Sequence, residues 1–188
     1  MDEIVKAALL KWPRVPQNFG WLALDARGDW YLRDEPTQAA GPFPRVKGSR
    51  IEHQGLRNFI ARNYEADARG AWYFQNGPQR VHVQLEAAPF VWRLQAAVAA
   101  PGSADSGACL ITSHTGLAAR FRNAWFDEHD RLFIDTDLGF GLVHSLDTGV
   151  AAIAVEGGAW TPRVMAFNEM PLRFGYVLEP RPQNTANR

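Results

Sequence analysis

"DARGDWYL" at residues 25–32 returns as "DARGAWYF" at residues 67–74, 67 − 25 = 42 positions later. Both copies follow the same grammar. An aspartate opens a tight turn, a glycine supplies a backbone conformation that other residues resist, and three large residues then resume an extended chain. Around the first copy Trp21, Leu22 and Leu24 lead in, and Trp30, Tyr31 and Leu32 lead out, so a β-hairpin is predicted there. The second copy predicts another hairpin, with Trp72, Tyr73 and Phe74 as its outgoing strand. The repeat is read as a duplicated hairpin with a solvated Arg in each turn, in preference to an Arg-Gly turn that captures an anion.

Outward from these turns the pattern remains β. Asn76-Gly77-Pro78 is a turn, after which Val81, Val83 and Leu85 alternate with His82, Gln84 and Glu86. Phe90, Trp92 and Leu94 alternate likewise, and Leu110 to Thr112 reads as a strand. "AWFDEHDRLFI" at residues 124–134 repeats the apolar, polar-turn, apolar order without the glycine, as a degenerate third copy. "LRFGYVL" at residues 172–178 is expected to be a closing strand.

Helical signals are fewer. Residues 3–11 suit a short helix that Pro13, Pro16 and Gly20 stop. Ser49-Arg50-Ile51-Glu52 has the form of a capping box, and Leu56, Phe59, Ile60 and Tyr64 follow at helical spacing, which predicts a helix over residues 50–64. Residues 145–155 suit another short helix, and the Pro- and Gly-rich residues 35–48 read as a loop. The expected fold is α+β: mainly antiparallel β with repeated hairpin units and one or two short helices, arranged as two small subdomains. The first spans residues 1–101 and holds both DARG hairpins. Residues 102–107 form a linker, residues 108–180 a β-rich second subdomain, and residues 181–188 a frayed tail.

The 188 residues are 46% hydrophobic, enough for a real core. Seven Trp and eleven Phe favour half-buried pleated surfaces and reinforce the β reading. Lys plus Arg equals Asp plus Glu at 20 each, which gives no overall electrostatic footprint for nucleic acid or an anionic membrane. A single cysteine, Cys109, excludes an intramolecular disulfide and a cysteine-based zinc site, and its apolar neighbours mark a buried strand thiol. Asp2 and Glu3 have the wrong polarity for a secretory signal, and no apolar run is long enough to span a bilayer. A cytoplasmic location is expected.

Common catalytic motifs fail one by one. His53, His82, His114, His129 and His144 contain no pair at i, i+4 spacing. The acidic run at residues 127–137 resembles a cation loop, but Leu146 stands where the bidentate Glu of an EF-hand counted from Asp135 belongs. A turn at Asp127 to Asp130, with Asp135 and Asp137 beyond the next strand, explains the run more simply. No G-x-S-x-G elbow occurs, "GFGLVH" has His144 where a dinucleotide fingerprint needs glycine, and "EGGAW" lacks the lysine of a phosphate loop. No cofactor is expected.

"FGWLALDARGDWYLRDE", "FIARNYEADARGAWYFQNGPQRVHVQLEAAPF" and "PLRFGYVLEP" resemble an uncharacterised proteobacterial family known only as a domain of unknown function. The central block, with its helix, aromatic hairpin, valine-rich strand and "APF" turn, is similar in order to a second uncharacterised bacterial family. The resemblance implies an α+β fold of repeated small β units and carries no activity, cofactor or catalytic residue.

Function therefore rests on side-chain types. Gln79 and Arg80 put an amide and a fork-shaped cation beside aromatic strands, and Arg80, His82, Trp72 and Trp92 are the candidate ligand-binding residues. The preferred expectation is a non-enzymatic binding or adaptor module for a protein, peptide or small molecule, with strand edges open to β-augmentation. The alternative is a small hydrolase-like enzyme in which His82 or His114 meets an Asp only in the fold.

Overall fold

The structure is a computed structural model that describes residues 1–96 and 109–182. The stretch expected as a linker, 102–107, and most of the expected tail lie outside those residues. The fold is α+β: two mixed, mostly antiparallel sheets of six and seven strands with five short helices among the described residues.

Two compact units divide the chain. One comprises Met1–Asp25, Asp29–Glu86 and the chain from Gly175 onward; the other comprises Ala26–Gly28 and Ala87–Phe174. The division after Glu86 differs from the expected boundary near residues 101–107. Its physical cause is that Phe90–Ala96 pairs with Phe140–Val143 on one side and Cys109–Ser113 on the other, so its backbone belongs to the second sheet.

The first unit opens with helix α1 (Glu3–Lys11) and continues through β1 (Asn18–Leu24), β2 (Trp30–Leu32), α2 (Glu35–Ala40), β3 (Ser49–Arg50), α3 (Gln54–Arg62), β4 (Tyr64–Ala66), β5 (Trp72–Asn76) and β6 (Gln79–Leu85). The second unit holds β7 (Phe90–Ala96), β8 (Cys109–Ser113), β9 (Ala118–Ala119), β10 (Phe121–Phe126), β11 (Leu132–Thr136), β12 (Phe140–Val143), α4 (Thr148–Glu156), β13 (Arg163–Val164) and α5 (Met170–Phe174). Strand order is β3-β2-β1-β6-β5-β4 in the first sheet and β13-β10-β11-β12-β7-β8-β9 in the second. Read from its other edge, the second sheet repeats the scheme of the first. Each joins two three-stranded antiparallel meanders through one central parallel pair, β1 with β6 and β7 with β12, and in the second sheet β13 adds a seventh strand parallel to β10 at the edge.

Along those central strands Leu22, Leu24, Val83 and Leu85 are buried in the first sheet, and Val91, Trp92, Leu142 and Val143 in the second. Trp92 is fully buried, and its indole N–H donates to the Ile134 carbonyl at 3.2 Å.

One turn design recurs in both units. In the first DARG hairpin the Asp25 carboxylate accepts from the Asp29 N–H at 2.9 Å, and the Asp25 N–H donates to the Asp29 carbonyl at 3.0 Å. In the second, the Asp67 carboxylate accepts from the N–H groups of Arg69 and Ala71 at 2.9 and 3.0 Å. Gly28 and Gly70 occupy the position of positive φ, 80° and 78°. The third copy is confirmed at Asp127, whose carboxylate accepts from the N–H groups of His129 and Arg131 at 3.0 and 2.8 Å; Asp130, at φ 57°, replaces the glycine. A fourth copy between β8 and β9 substitutes a hydroxyl. Ser113 Oγ accepts from the Leu117 N–H at 3.1 Å, with Gly116 at φ 87°. The opening repeat is thus a structural turn, and Arg69 bends back to ion-pair with its own Asp67 at 3.0 Å.

The carboxylates make this device sensitive to acid. Burial pushes the Asp67 and Asp127 carboxyls up, but the backbone N–H groups and the Arg69 and Arg131 guanidiniums outweigh it, so both lie below the ordinary value. Such groups stabilise the fold fully above the unfolded carboxylate pKa, and the contribution is lost as pH falls through the folded one. Unfolding free energy measured by urea titration is therefore expected to decline below about pH 6.5, where the unfolded chain protonates its histidines while buried His82 and His114 stay neutral, with a further drop below about pH 4 from the carboxylates. Asp67→Asn is expected to reduce that drop.

Three local expectations are corrected. The helix expected over residues 50–64 is α3, Gln54–Arg62, and its cap is His53, whose ring Nδ1 accepts from the Leu56 N–H at 3.1 Å. Ser49 and Arg50 pair instead with Leu32 and Tyr31, because the open edge of β2 offers them ladder hydrogen bonds. The expected loop at residues 35–48 begins with α2, which Asp34 caps by accepting from the Thr37 N–H, with Pro36 in the first turn where its missing N–H costs nothing. Residues 172–178 do not form a strand. Leu172 to Phe174 complete α5, and Gly175 at φ 66° turns the chain. Phe174 stacks on Phe140 at 3.7 Å, a contact that the helical turn provides.

Candidate functional site

Alternation along β5 and β6 separates the residues singled out from the sequence. Arg80, His82 and Gln84 share one face of the first sheet with Tyr73 and Gln75, their cross-strand neighbours, whereas Trp72 lies on the other face against Tyr64 at 4.6 Å. Arg80 covers the Tyr73 ring at 4.6 Å. His82 is buried, stacks flat on Phe19 at 4.3 Å and makes a 2.7 Å hydrogen bond through Nε2 to the Gln17 side chain. Burial pushes its pKa down. Trp92 belongs to the core of the other sheet. The four therefore do not converge: Arg80 and His82 stand together, and Trp72 and Trp92 pack elsewhere.

His114, the other histidine considered for catalysis, is buried in the second unit, where Nδ1 accepts from the Val91 N–H at 3.3 Å. Burial pushes its pKa down to about 3, so the ring is neutral throughout the physiological range. The acidic run is accounted for locally. Asp127 makes its turn, Glu128 accepts from the Phe167 N–H at 2.8 Å, and Asp137 accepts from the Arg120 N–H at 2.8 Å. Among the described residues no group of three or more His, Cys, Asp or Glu side chains is placed to hold a metal ion. Cys109 is half-buried in β8, with its thiol pushed up by burial.

The polar face of the first sheet leads to a cleft of about 400 Å³. Phe19, the ring that stacks on His82, forms part of its wall, and Gln84 continues the β6 row. Beside them stand Arg33, Gln38, Glu179 and Arg181, with Gly20, Gly41 and three prolines completing the lining. Arg33 directly follows β2, and its N–H donates to the Trp21 carbonyl at 3.0 Å, so the backbone ladder fixes where its side chain begins. That side chain is held by three neutral acceptors: Nε donates to the Val46 carbonyl at 3.2 Å, Nη1 to Gln84 Oε1 at 2.6 Å and Nη2 to the Gly41 carbonyl at 2.6 Å. Only 2% of Arg33 is exposed, and no carboxylate among the described residues ion-pairs with it. Burial pushes its pKa down, opposed by the charge of Glu179. Gln38 is tied to the same residue, donating through Nε2 to the Arg33 carbonyl at 2.8 Å.

Other depressions differ in chemistry. One of about 290 Å³ in the first unit is lined by Trp21, Leu32, Leu56, Phe74 and Val81, and one of about 250 Å³ in the second by Phe126, Leu132, Ala151 and Val155 with Asp130 and Glu156 at its edge. Neither contains a buried cation. Arg33 is not marked out in the sequence, because a single arginine after a short strand belongs to no motif. The available signal was strand parity, which puts Arg33 on the same side of β2 as Tyr31 and opposite Leu32.

The fold and cleft define a two-unit α+β protein with a polar recess in its first unit. The chain belongs to the family described as "Protein of unknown function (DUF2946)", whose profile matches residues 1–181. No curated protein matches the chain. Among solved structures it is similar to a DUF1285 family protein from Shewanella baltica OS155, at 13% identity and a TM-score of 0.46, over 70% of this chain and 90% of that one.

Proposed function

We propose that the protein is a non-enzymatic binding module, cytoplasmic in location, that holds a small polar ligand in the Arg33 cleft of its first unit. One observation carries this reading: a buried guanidinium satisfied by neutral acceptors lines a recess of ligand size. A buried arginine is costly to maintain unless its remaining charge is used. The lining supports binding and orientation, with amides, two guanidiniums, one carboxylate, an aromatic ring and rigid prolines. The aromatic β surface contributes through Phe19, and Gln84 carries the polar β6 row into the cleft.

Gently purified protein and protein incubated with a library of polar metabolites would be compared by native mass spectrometry and by thermal unfolding. A ligand bound at one copy per chain, with raised unfolding temperature and protection of residues 41–47 from hydrogen exchange, is the expected result. Chemical turnover of the bound compound, or protection confined to the second unit, would overturn the reading.

A further inference from the structure

The charge of the cleft is unbalanced. Arg33 and Arg181 contribute two positive charges and Glu179 one negative, 2 − 1 = +1. Glu179 is already engaged, its carboxylate accepting from Arg181 Nη2 at 2.8 Å. The guanidinium of Arg33 has five N–H donors, of which three are used, leaving one on each terminal nitrogen. Two donors on neighbouring nitrogens match the two oxygens of a carboxylate.

Space at the site agrees with this. A Cβ at Gly20 would run into the side-chain amide of Gln38, and one at Gly41 would meet Val46 at 3.0 Å, so at both positions glycine lets the backbone close in where a side chain would push the wall apart. The loop carrying Gly41 and Val46 is bound to Arg33 itself, so the cation and its enclosure form one unit.

We propose that the cleft takes the carboxylate of a small molecule, seated on Arg33 with Arg181 closing over it from the rim. The proposal rests on the binding reading above and adds the class of ligand. Arg33 is the fixed half of the recognition, because three bonds hold it before any ligand arrives. Arg181, which is well exposed, is the adjustable half. On binding, the ligand's negative charge brings the lining to neutrality, and Glu179 keeps the site from holding a second anion.

The test is an NMR titration of the full chain with acetate, acetamide and inorganic phosphate, following the Arg33 Nε–Hε signal and the Gly20 and Gly41 amides. Acetate is expected to saturate these signals with a dissociation constant on the order of millimolar, as suits so small a ligand. Acetamide, equal in size but uncharged, is expected to leave them unmoved. Arg33→Lys is expected to weaken acetate about tenfold or more, since it keeps the charge and loses the fork. Arg181→Ala is expected to weaken it about two- to fivefold, and it remains informative if the Arg33 variant does not fold. Equal shifts with acetamide, or tighter binding of phosphate than acetate, would overturn the carboxylate assignment. Small unsaturating shifts spread over many arginines would mean an adventitious ion only and would overturn it too. If a neutral library compound binds the cleft while acetate does not, this inference fails and the binding module stands. If nothing perturbs the cleft signals, both fall.

Discussion

Gly70→Ala is expected to lower the unfolding free energy by about 2–5 kcal/mol. Two costs add at this position. At φ 78° an L side chain is strained by about 1–2 kcal/mol. An added Cβ would also run into the carbonyl of Gly175 and press on the Tyr176 Cα, which are backbone atoms and cannot turn aside as a side chain does. That backbone is itself pinned, because the Val177 N–H donates to the Gly70 carbonyl at 3.1 Å and the Leu85 N–H to the Leu178 carbonyl at 2.8 Å. Overpacking of this kind costs about 1–3 kcal/mol. Gly77→Ala is the control: φ is 56° and nothing lies within 4 Å of the new atom, so only the conformational strain of about 1–2 kcal/mol is expected. Urea unfolding of both variants separates the two costs. Equal losses would show that the returning C-terminal segment does not rest on the second DARG turn.

Asp127→Ala is the second large effect, a loss of about 3–5 kcal/mol. Its carboxylate is buried and accepts from two backbone N–H groups and from the Arg131 guanidinium at 2.7 Å. Alanine leaves those donors without their acceptor inside the turn, and Asp130 keeps its strained positive φ with less to hold it there. Asp127→Asn retains an oxygen for the backbone donors and loses only the charged partner, so a loss of about 1–2 kcal/mol is expected. Should the asparagine variant lose as much as the alanine variant, the ion pair with Arg131 would be the source of stability and the turn bonds would be secondary.

Legibility in the sequence followed the range of the physics involved. The DARG hairpins were readable because an Asp, a Gly three positions on and a flanking aromatic strand act within eight residues. The third copy was readable without its glycine because the apolar order survived, and Asp130 is one of the few residue types that tolerates the left-handed region. The fourth was not seen, since Ser113 performs the aspartate's task with a hydroxyl. The capping box at Ser49 failed for a different reason: the edge of β2, distant in sequence, took Ser49 and Arg50 into the sheet and left capping to His53. Central pairing of β1 with β6 was beyond reach, as alternation tells which face a strand buries and says nothing of its neighbour.

The site was the least legible part. Trp92 is an aromatic close in sequence to a polar rim, yet a central parallel strand buries it completely. His82 has suitable chemistry and lies on the face that leads to the cleft, stacked on Phe19. Arg33 and Gln38 lie five residues apart, but Arg181 comes from far along the chain, and only the folded chain brings a guanidinium from the end of β2 to the returning segment at residues 179–182.

Ligand binding by this cleft through Arg33 is tested most directly by a crystal structure grown with the tightest-binding carboxylic acid from the metabolite library. The ligand is expected in the recess beside Phe19, with both carboxylate oxygens within hydrogen-bond distance of the Arg33 guanidinium. An empty recess at saturating concentration, or the same acid bound elsewhere on the molecule, would contradict it.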